Sequence, residues 1–439
     1  MYAETRATER ATRTQPAPTS RADSERRAEI LRTAAELFAS AGYARTVVRD
    51  VADACGILAG SLYHHFDSKE AIAAELLARY HDALDAVAAG SPGPAAITGP
   101  GDAFAVISGF ATEIARCALE HRAALQLSIY GPSSGPEPER VASLGAGTPQ
   151  APVRAMAELL DAAFERGYLG AGVDRSVLAE QLCLTMLHIG LSVLHRDTAA
   201  DRMAAAVCRL LFDGLVATPP TAAELDASAA MAAARTAIAT WPPPDDIDST
   251  DRVEALRAVA RAEFAHRGYE ATTMRDIAVA AGIGVGTVYR TVQSKAALLE
   301  AIMDTFHSEI SRCYRTVVAT DSSAAAKIDA LTWVNLNALD RFEPEFAIQR
   351  AWLRSTPPEG NEIIDVLRRR AQQIATVIES GRADGEIRVQ AVAKSRLSAC
   401  VRDLIWVPPP VVGRLGIAAA HAHSRATLLR GACRESVPT

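Results

Sequence analysis

Apolar residues recur at three- and four-residue spacing along most of this chain, and the breaks fall at Pro and Gly clusters. The spacing predicts a first helix over 26–41 with Ile30, Ala34, Leu37 and Phe38 facing inward. A connecting helix is expected from Glu70 to Val87. After breaks at 90–94 and 99–101, helical patterns return at 103–130. A breaker-rich loop covers 131–152, and helices resume over 153–217, including the apolar Leu178–Leu194 and Met203–Val216 stretches. A comparable series begins at Asp251. Its first helix carries Val253, Leu256, Ala260 and Phe264 inward, and its connecting helix includes Leu298, Leu299, Ile302 and Phe306. A break at 356–360 precedes helices at about 361–381 and 391–405. Pro408-Pro-Pro410 interrupts the chain before a last helix near 413–432. Between the two series lies a linker, 218–250, with an Ala-rich helical piece at 222–240.

The two series are copies. Val47–Lys69 recurs without a gap as Thr273–Lys295, and Phe38/Phe264, Gly42/Gly268 and Tyr43/Tyr269 match just upstream. Chance is an unlikely source of a repeat of this quality, and internal duplication is the natural one. The chain has four lysines among 46 basic residues, and Lys69 and Lys295 fall at matching positions. Farther on, Ala163-Phe-Glu-Arg-Gly-Tyr-Leu-Gly pairs with Val377-Ile-Glu-Ser-Gly-Arg-Ala-Asp.

Each copy reads as helix, turn, helix. Thr46 and Thr272 are suited to N-cap a short helix and are also candidate DNA contacts. Cys55-Gly56-Ile57 and Ala281-Gly282-Ile283 supply the turn, and a second short helix follows. In such a motif the second helix enters the major groove of DNA. Small leading residues, Ala59, Gly60 and Ser61 or Val285, Gly286 and Thr287, allow close approach to base edges. Arg49, Tyr63, His64, His65 and Lys69, with Arg275, Tyr289, Arg290 and Lys295, suit phosphate contacts that set register. The same residues also have plain readings: Arg49 and Arg275 as a solvated face, the tyrosines as core, the lysines as surface charge.

The Ile30-Leu31, Ala34-Ala35, Leu37-Phe38, Gly42-Tyr43 series, followed by Ser61-Leu62-Tyr63-His64-His65-Phe66 and Lys69, resembles the DNA-binding domain of the tetracycline-repressor (TetR/AcrR) family. Copy two keeps Thr287-Val288-Tyr289-Arg290 and Lys295, with Thr291 and Val292 departing from the pattern. Leu58 and Gly284 stand where a polar residue is common. The resemblance implies an all-α chain of two tandem units, each a DNA-binding domain (25–72 and 251–298) followed by a helical ligand-binding and dimerisation domain (73–217 and 299–433). It also implies double-stranded operator DNA and a small apolar or amphipathic effector as partners. Met186 and His188 in unit one, and Trp333, Phe346 and Trp352 in unit two, are candidate pocket linings; apolar positions at this spacing are more often plain core.

Composition adjusts this picture. The chain of 439 residues is 49% apolar, with a net charge of −6. Residues 26–72 hold six basic and six acidic side chains, and 251–300 hold seven and six. DNA binding would therefore depend on local placement, not overall charge. Seven scattered cysteines argue against a disulfide framework. The absence of a long apolar run or a signal-peptide core points to the cytoplasm and away from membranes. Residues 1–24, with Arg6, Arg10, Arg13 and Arg21, read as a disordered tail or as an arm reaching DNA. Gly282-Ile-Gly-Val-Gly286 lacks the strand and Lys-Ser/Thr of a phosphate loop, and no catalytic motif, metal-ligand spacing or cofactor motif is present. The expected function is a ligand-responsive regulator, a repressor. The alternative is a protein-association module whose second motif has left DNA. Two copies in one chain also predict an intrachain pseudo-dimer, with a homodimer of whole chains as its rival.

Overall fold

The computed structural model describes residues 21–43, 45–130, 149–189, 200–243, 249–269, 272–354, 362–388 and 392–433. Unit one comprises α1 (Arg21–Ala41), α2 (Val48–Ala54), α3 (Ala59–Tyr63), α4 (Lys69–Ala89), α5 (Pro100–Glu120), α6 (Arg122–Tyr130), α7 (Gln150–Glu165), α8 (Arg175–Ile189) and α9 (Ala200–Asp213). The linker holds α10 (Ala222–Asp226) and α11 (Ala229–Ala239). Unit two comprises α12 (Arg252–Arg267), α13 (Met274–Ala280), α14 (Val285–Thr291), α15 (Lys295–Val318), α16 (Ala324–Arg341), α17 (Glu343–Arg354), α18 (Glu362–Ala383), α19 (Lys394–Leu404), α20 (Pro409–Leu415) and α21 (Ile417–Ser424), which runs into a π turn, Arg425–Leu429. The all-α expectation holds among the described residues, whose only β pairings are the isolated bridges Leu169–Cys433 and Val216–Ile387.

Local chemistry sets the starts of the long helices. Ser68 and Ser294 cap α4 and α15, their hydroxyls accepting from the Ala71 and Ala297 amides at 3.1 and 3.0 Å. Pro409 sits in the first turn of α20, where a missing N–H does no harm. The proline run thus starts a helix instead of only breaking one. Val253, expected inward, is 40% exposed, whereas Leu256, Ala260 and Phe264 are buried. The part of the N-terminal arm at 21–24 is helical, because α1 begins at Arg21. Residues 1–20, and 190–194 of the expected Leu178–Leu194 stretch, lie outside the described residues.

The linker belongs physically to unit two. Ala230, Met231, Ala234 and Ala237 of α11 are buried where that helix packs on α15 and α16. Ala230 N donates to Ser322 Oγ at 3.1 Å, Arg312 to Ala237 O at 3.1 Å, Trp241 Nε1 to Cys313 Sγ at 3.3 Å, and Arg341 to Pro242 O.

The two bodies meet through α8 and α9 on one side and α19, α20 and the π turn on the other. Backbone bonds across this contact come in reciprocal pairs. Leu215 N donates to Leu428 O at 2.8 Å, and Ala432 N to Leu211 O at 2.8 Å. Val216 N donates to Leu429 O at 3.1 Å, and Cys433 N to Phe212 O at 2.9 Å. Gly170 N reaches Ala432 O at 2.9 Å, and Arg388 N reaches Leu215 O at 3.0 Å. Residue i of one unit meets j of the other while their counterparts meet in reverse, which is the signature of an isologous, two-fold contact. Gly214 and Gly431 hold equivalent places, at φ 75° and 91°, and a Cβ on either would lie about 2.5 Å or less from backbone atoms of the other unit or turn. These pairings also correct the register of the second match. Gly167 (φ 77°) corresponds to Gly385 (φ 70°), the residue that ends α18. Gly381, the partner expected from the sequence, lies inside α18 against Ala324 and Ile387.

Candidate nucleic-acid interface

The two helix-turn-helix heads are built alike. Gly42 and Gly268 end α1 and α12 at φ 87° and 82°. Phe38 and Tyr43 meet edge to face at 5.1 Å, as Phe264 and Tyr269 do at 5.3 Å. In the second turn, Gly56 and Gly282 adopt φ 67° and 65°, and Ile57 and Ile283 donate back to Ala52 O and Ala278 O at 3.0 Å each. Leu62 and Val288 anchor α3 and α14 in the core.

The threonine expectation needs correction. Thr46 and Thr272 are buried, and each hydroxyl donates back to a glycine carbonyl, Gly42 O and Gly268 O, at 2.9 Å. They neither cap the next helix nor face outward. Val47 N caps α2 through Asp50 Oδ2 at 2.8 Å, and Thr273 caps α13 in a full capping box with Asp276. The one-residue slip is invisible to cap statistics because copy two offers Thr at both places.

The lysines also turn inward. Lys69 Nζ donates to Tyr43 O at 3.0 Å and Thr46 O at 3.1 Å, and lies 4.2 Å from the Tyr43 ring centre. Lys295 repeats this with Tyr269 O at 2.8 Å, Thr272 O at 2.9 Å and the Tyr269 ring at 4.3 Å. Each ammonium ties the loop after the first helix to the start of the long connecting helix. Burial lowers the Lys69 pKa, partly offset by Glu70. Burial, then the Glu70 charge and hydrogen bond, raises that of Tyr43.

The remaining expected contacts form an outward face on each head. Gly60, Ser61, Tyr63 and His64 are exposed, with Ala59 and His65 half-buried. Val285, Gly286, Tyr289 and Arg290 are exposed and Thr287 half-buried; Arg290 reaches Thr287 Oγ1 at 3.0 Å. Arg49 is exposed, in a loose 3.7 Å pair with Asp53, and Arg275 is exposed. A Cβ added at Gly60 or Gly286 would meet nothing within 4 Å, so the protein's own packing does not demand glycine there. Large apolar residues gather on the same faces: Leu58 is 80% and Tyr63 52% exposed, Val279 75% and Tyr289 55%.

Copy one holds a brace that no local sequence pattern marks. Arg27 lies 4.0 Å over the Phe66 ring and binds both His65 O and Glu75, pinning the far end of α3 to α1 and α4. The matching residues of copy two are Val253, Val292 and Ala301, which cannot form this brace. All three positions differ in the sequence, but Arg27 and Glu75 lie 48 residues apart and only the fold brings them together.

The candidate ligand residues are dispersed. Met186 is fully buried, and His188 is exposed with Nδ1 2.7 Å from Leu184 O. Trp333 packs on His421 at 5.1 Å, and Phe346 lies between Phe306 (4.9 Å) and Trp406 (5.1 Å). The Trp352 side chain lies outside the described set.

The two heads coincide with residues 30–76 and 256–302, which match the family described as bacterial regulatory proteins, tetR family. The chain thus carries two tandem copies of this family's N-terminal domain. The HTH-type transcriptional repressor KstR2 of Rhodococcus jostii (strain RHA1) is 55% identical over 69 residues, 16% of this chain and 34% of that protein. Its namesake in Mycobacterium tuberculosis (strain ATCC 25618 / H37Rv) is 52% identical over 71 residues, 14% of this chain and 36% of that protein. The chain thus spans about a third of the length of the curated relatives it matches. The solved structure of the ketosteroid transcriptional regulator KstR2 of Mycobacterium tuberculosis aligns at a TM-score of 0.35 and 24% identity, covering 41% of this chain and 97% of that one.

Proposed function

We propose that this chain is a cytoplasmic DNA-binding transcriptional regulator, a repressor released from its operator by a small amphipathic effector. One chain supplies both reading heads, joined as an intrachain pseudo-dimer. The carrying observation is the set of reciprocal backbone bonds between 211–216 and 428–433. Such isologous contacts ordinarily join two copies. Here both sides belong to one polypeptide, so the surface a separate partner would use is occupied from within. Among the described residues no helix is long and apolar enough to cross a membrane.

In this reading Gly60, Ser61, Gly286 and Thr287 approach base edges, and Tyr63, His64, Tyr289 and Arg290 meet phosphates. Lys69 and Lys295 act indirectly, by holding the loop beside the recognition helix. The effector works only by favouring a body conformation that spaces the heads wrongly. The 33-residue linker, 218–250, joins the units without separating them. Light scattering of the free protein, with a footprint of its site selected from random DNA, tests the proposal. A one-chain mass with one two-half-site footprint is expected; a two-chain mass on a symmetric palindrome would reject the single-chain arrangement.

The missing Arg27–Phe66–Glu75 brace in copy two favours a second reading, in which that head has left DNA for protein association. Disruption of each head in turn separates the two. If Tyr289→Ala and Arg290→Ala leave DNA affinity unchanged while Tyr63→Ala abolishes it, the second reading holds.

A further inference from the structure

The outward faces of α3 and α14, Leu58 to His64 and Gly284 to Arg290, hold few groups that could read a base by hydrogen bonding. Neither carries an Asn, Gln or Lys, and the one Arg, Arg290, is turned onto Thr287 Oγ1 at 3.0 Å. Bidentate recognition of guanine takes Arg or Lys, and that of adenine takes Asn or Gln. The leading positions of each face, Leu58-Ala-Gly60 and Gly284-Val-Gly286, have no side-chain donor or acceptor at all. What they offer is apolar surface: Leu58 is 80% and Val285 37% exposed.

The fold asks for neither side chain. Leu58 and Gly284 stand at equivalent places on the same backbone, φ −71° and ψ 145° against φ −72° and ψ 142°, so glycine serves there as well as leucine. Ala59, the match of Val285, likewise opens the same helix with a smaller side chain. Six of the eight large apolar side chains exposed among the described residues lie in the two motifs: Val47, Leu58, Tyr63, Val279, Val285 and Tyr289. This surface is therefore concentrated on the heads instead of scattered over the bodies. Gly60 and Gly286 lie in the first turn of α3 and α14, where neither a positive φ nor a neighbouring atom requires glycine, yet both copies have it. A helix bare at that point can lie close against a partner, and in a helix-turn-helix that partner is the floor of the major groove. The apolar group that base edges present there is the C5-methyl of thymine.

We propose that the two heads tell base pairs apart through thymine C5-methyl groups, met by Leu58 on head one and by Val285 on head two. Ser61 and Thr287 add a hydroxyl each, which pairs with any base edge and so orients more than it selects. Leu58 and Val285 stand one place apart in the shared frame, since Val285 matches Ala59. The methyl that each meets is set differently within its half-site, and the two halves carry the thymine that matters at unlike positions. The inference rests on the assignment of α3 and α14 to DNA reading above, and it names the chemical group which that reading recognises.

The test uses the full chain and the site it selects from random DNA, resynthesised with deoxyuridine in place of thymidine at one position at a time. This exchange removes the methyl and keeps every hydrogen-bonding group of the base. At one or more positions in each half, binding should weaken about four-fold, the worth of one buried methyl. Leu58→Ala should lose that difference in one half and keep it in the other, and Val285→Ala should do the opposite. Both side chains are exposed, so the variants should melt with the parent. Any effect of uracil on DNA stiffness acts on parent and variant alike and cancels in the comparison. Uracil tolerated at every position, or a penalty that both variants retain, would overturn the proposal. A penalty confined to one half would overturn the assignment on the other head. Failure of the chain to select any DNA overturns the DNA-reading assignment itself, an outcome distinct from a selected site that ignores its methyls.

Discussion

At the scale of single residues, the same side-chain types serve opposite ends depending on which way they turn. Lys69 and Tyr63 are six residues apart in the motif, yet the lysine is spent on two backbone carbonyls while the tyrosine ring stands in solvent. Lys69→Met should therefore destabilise the first head by about 1–3 kcal/mol, the penalty for leaving enclosed carbonyls without a donor. Tyr63→Ala should leave the melting curve unchanged and weaken DNA binding. Thermal melts paired with gel shifts separate the two effects; a Lys69→Met variant that melts normally but loses the salt dependence of one phosphate contact would restore the lysine to the DNA face. Two histidines set a pH response. Burial pushes His423 down to about 4 and His307 to about 3; for His423 Asp174 opposes and Arg414 reinforces the shift. His423 Nε2 also meets Gln181 Oε1 across the contact between the units at 2.8 Å. Both rings stay neutral in the folded chain, whereas the unfolded chain takes up protons near 6.5. The stability they contribute is therefore complete above that value and is lost as pH falls from about 6.5 toward 4. A melting series over this range should slope downward, and more gently when His307→Gln and His423→Gln are combined.

Among the elements, those built from local sequence were legible and those fixed by distant partners were not. The heads could be read because glycine turns, apolar spacing and Ser68 or Ser294 caps act within a few residues. The direction of Lys69 could not, because its acceptors lie 23 and 26 positions away. Nor could the Gly167/Gly385 register, since only the contact between units shows that both end equivalent helices. The segment 218–250 reads as a linker because it is rich in alanine and bounded by prolines; its role as a wall of unit two depends on Trp241 finding Cys313 and on α11 finding α15 and α16. The turns at Gly214 and Gly431 carry the interface, which makes them sensitive. Gly214→Ala puts a Cβ at 2.4 Å from Arg430 backbone atoms with φ at 75°. The φ alone costs about 1–2 kcal/mol, and the clash with backbone cannot be relieved by rotating a side chain. Gly431→Ala should behave alike, because it meets the same turn from the other side. In urea, the wild-type chain should unfold in one transition, and either variant should separate the units into two. A single unshifted transition in both variants would show that these turns do not hold the units together.

At the scale of the whole molecule, duplication in one chain frees the two halves to diverge, and they have done so where DNA recognition is expected. A homodimer must present identical recognition helices, so its site is a palindrome. This chain presents Leu58-Ala-Gly-Ser-Leu-Tyr-His64 on one head and Gly284-Val-Gly-Thr-Val-Tyr-Arg290 on the other. Leu62 and Val288 point into the core, which leaves four outward differences: Leu58 against Gly284, Ala59 against Val285, Ser61 against Thr287, His64 against Arg290. If these residues read or steer the two half-sites, the natural operator has unlike halves, and a mismatched base at a well-read position costs about 1–3 kcal/mol of discrimination. Making the heads alike should then make the site symmetric. The quadruple change Gly284→Leu, Val285→Ala, Thr287→Ser, Arg290→His alters only outward or half-buried positions and should leave the melting temperature within a few degrees. Selection from a random DNA pool should return a palindrome built from the first head's half-site, at the spacing of the natural operator, because the contact between the units is untouched. Binding to the natural operator should weaken over its second half alone, visible as a shortened footprint. Were the selected sequence to stay asymmetric and unchanged, the second head would not be reading DNA through this helix, and the protein-association reading of unit two would take its place.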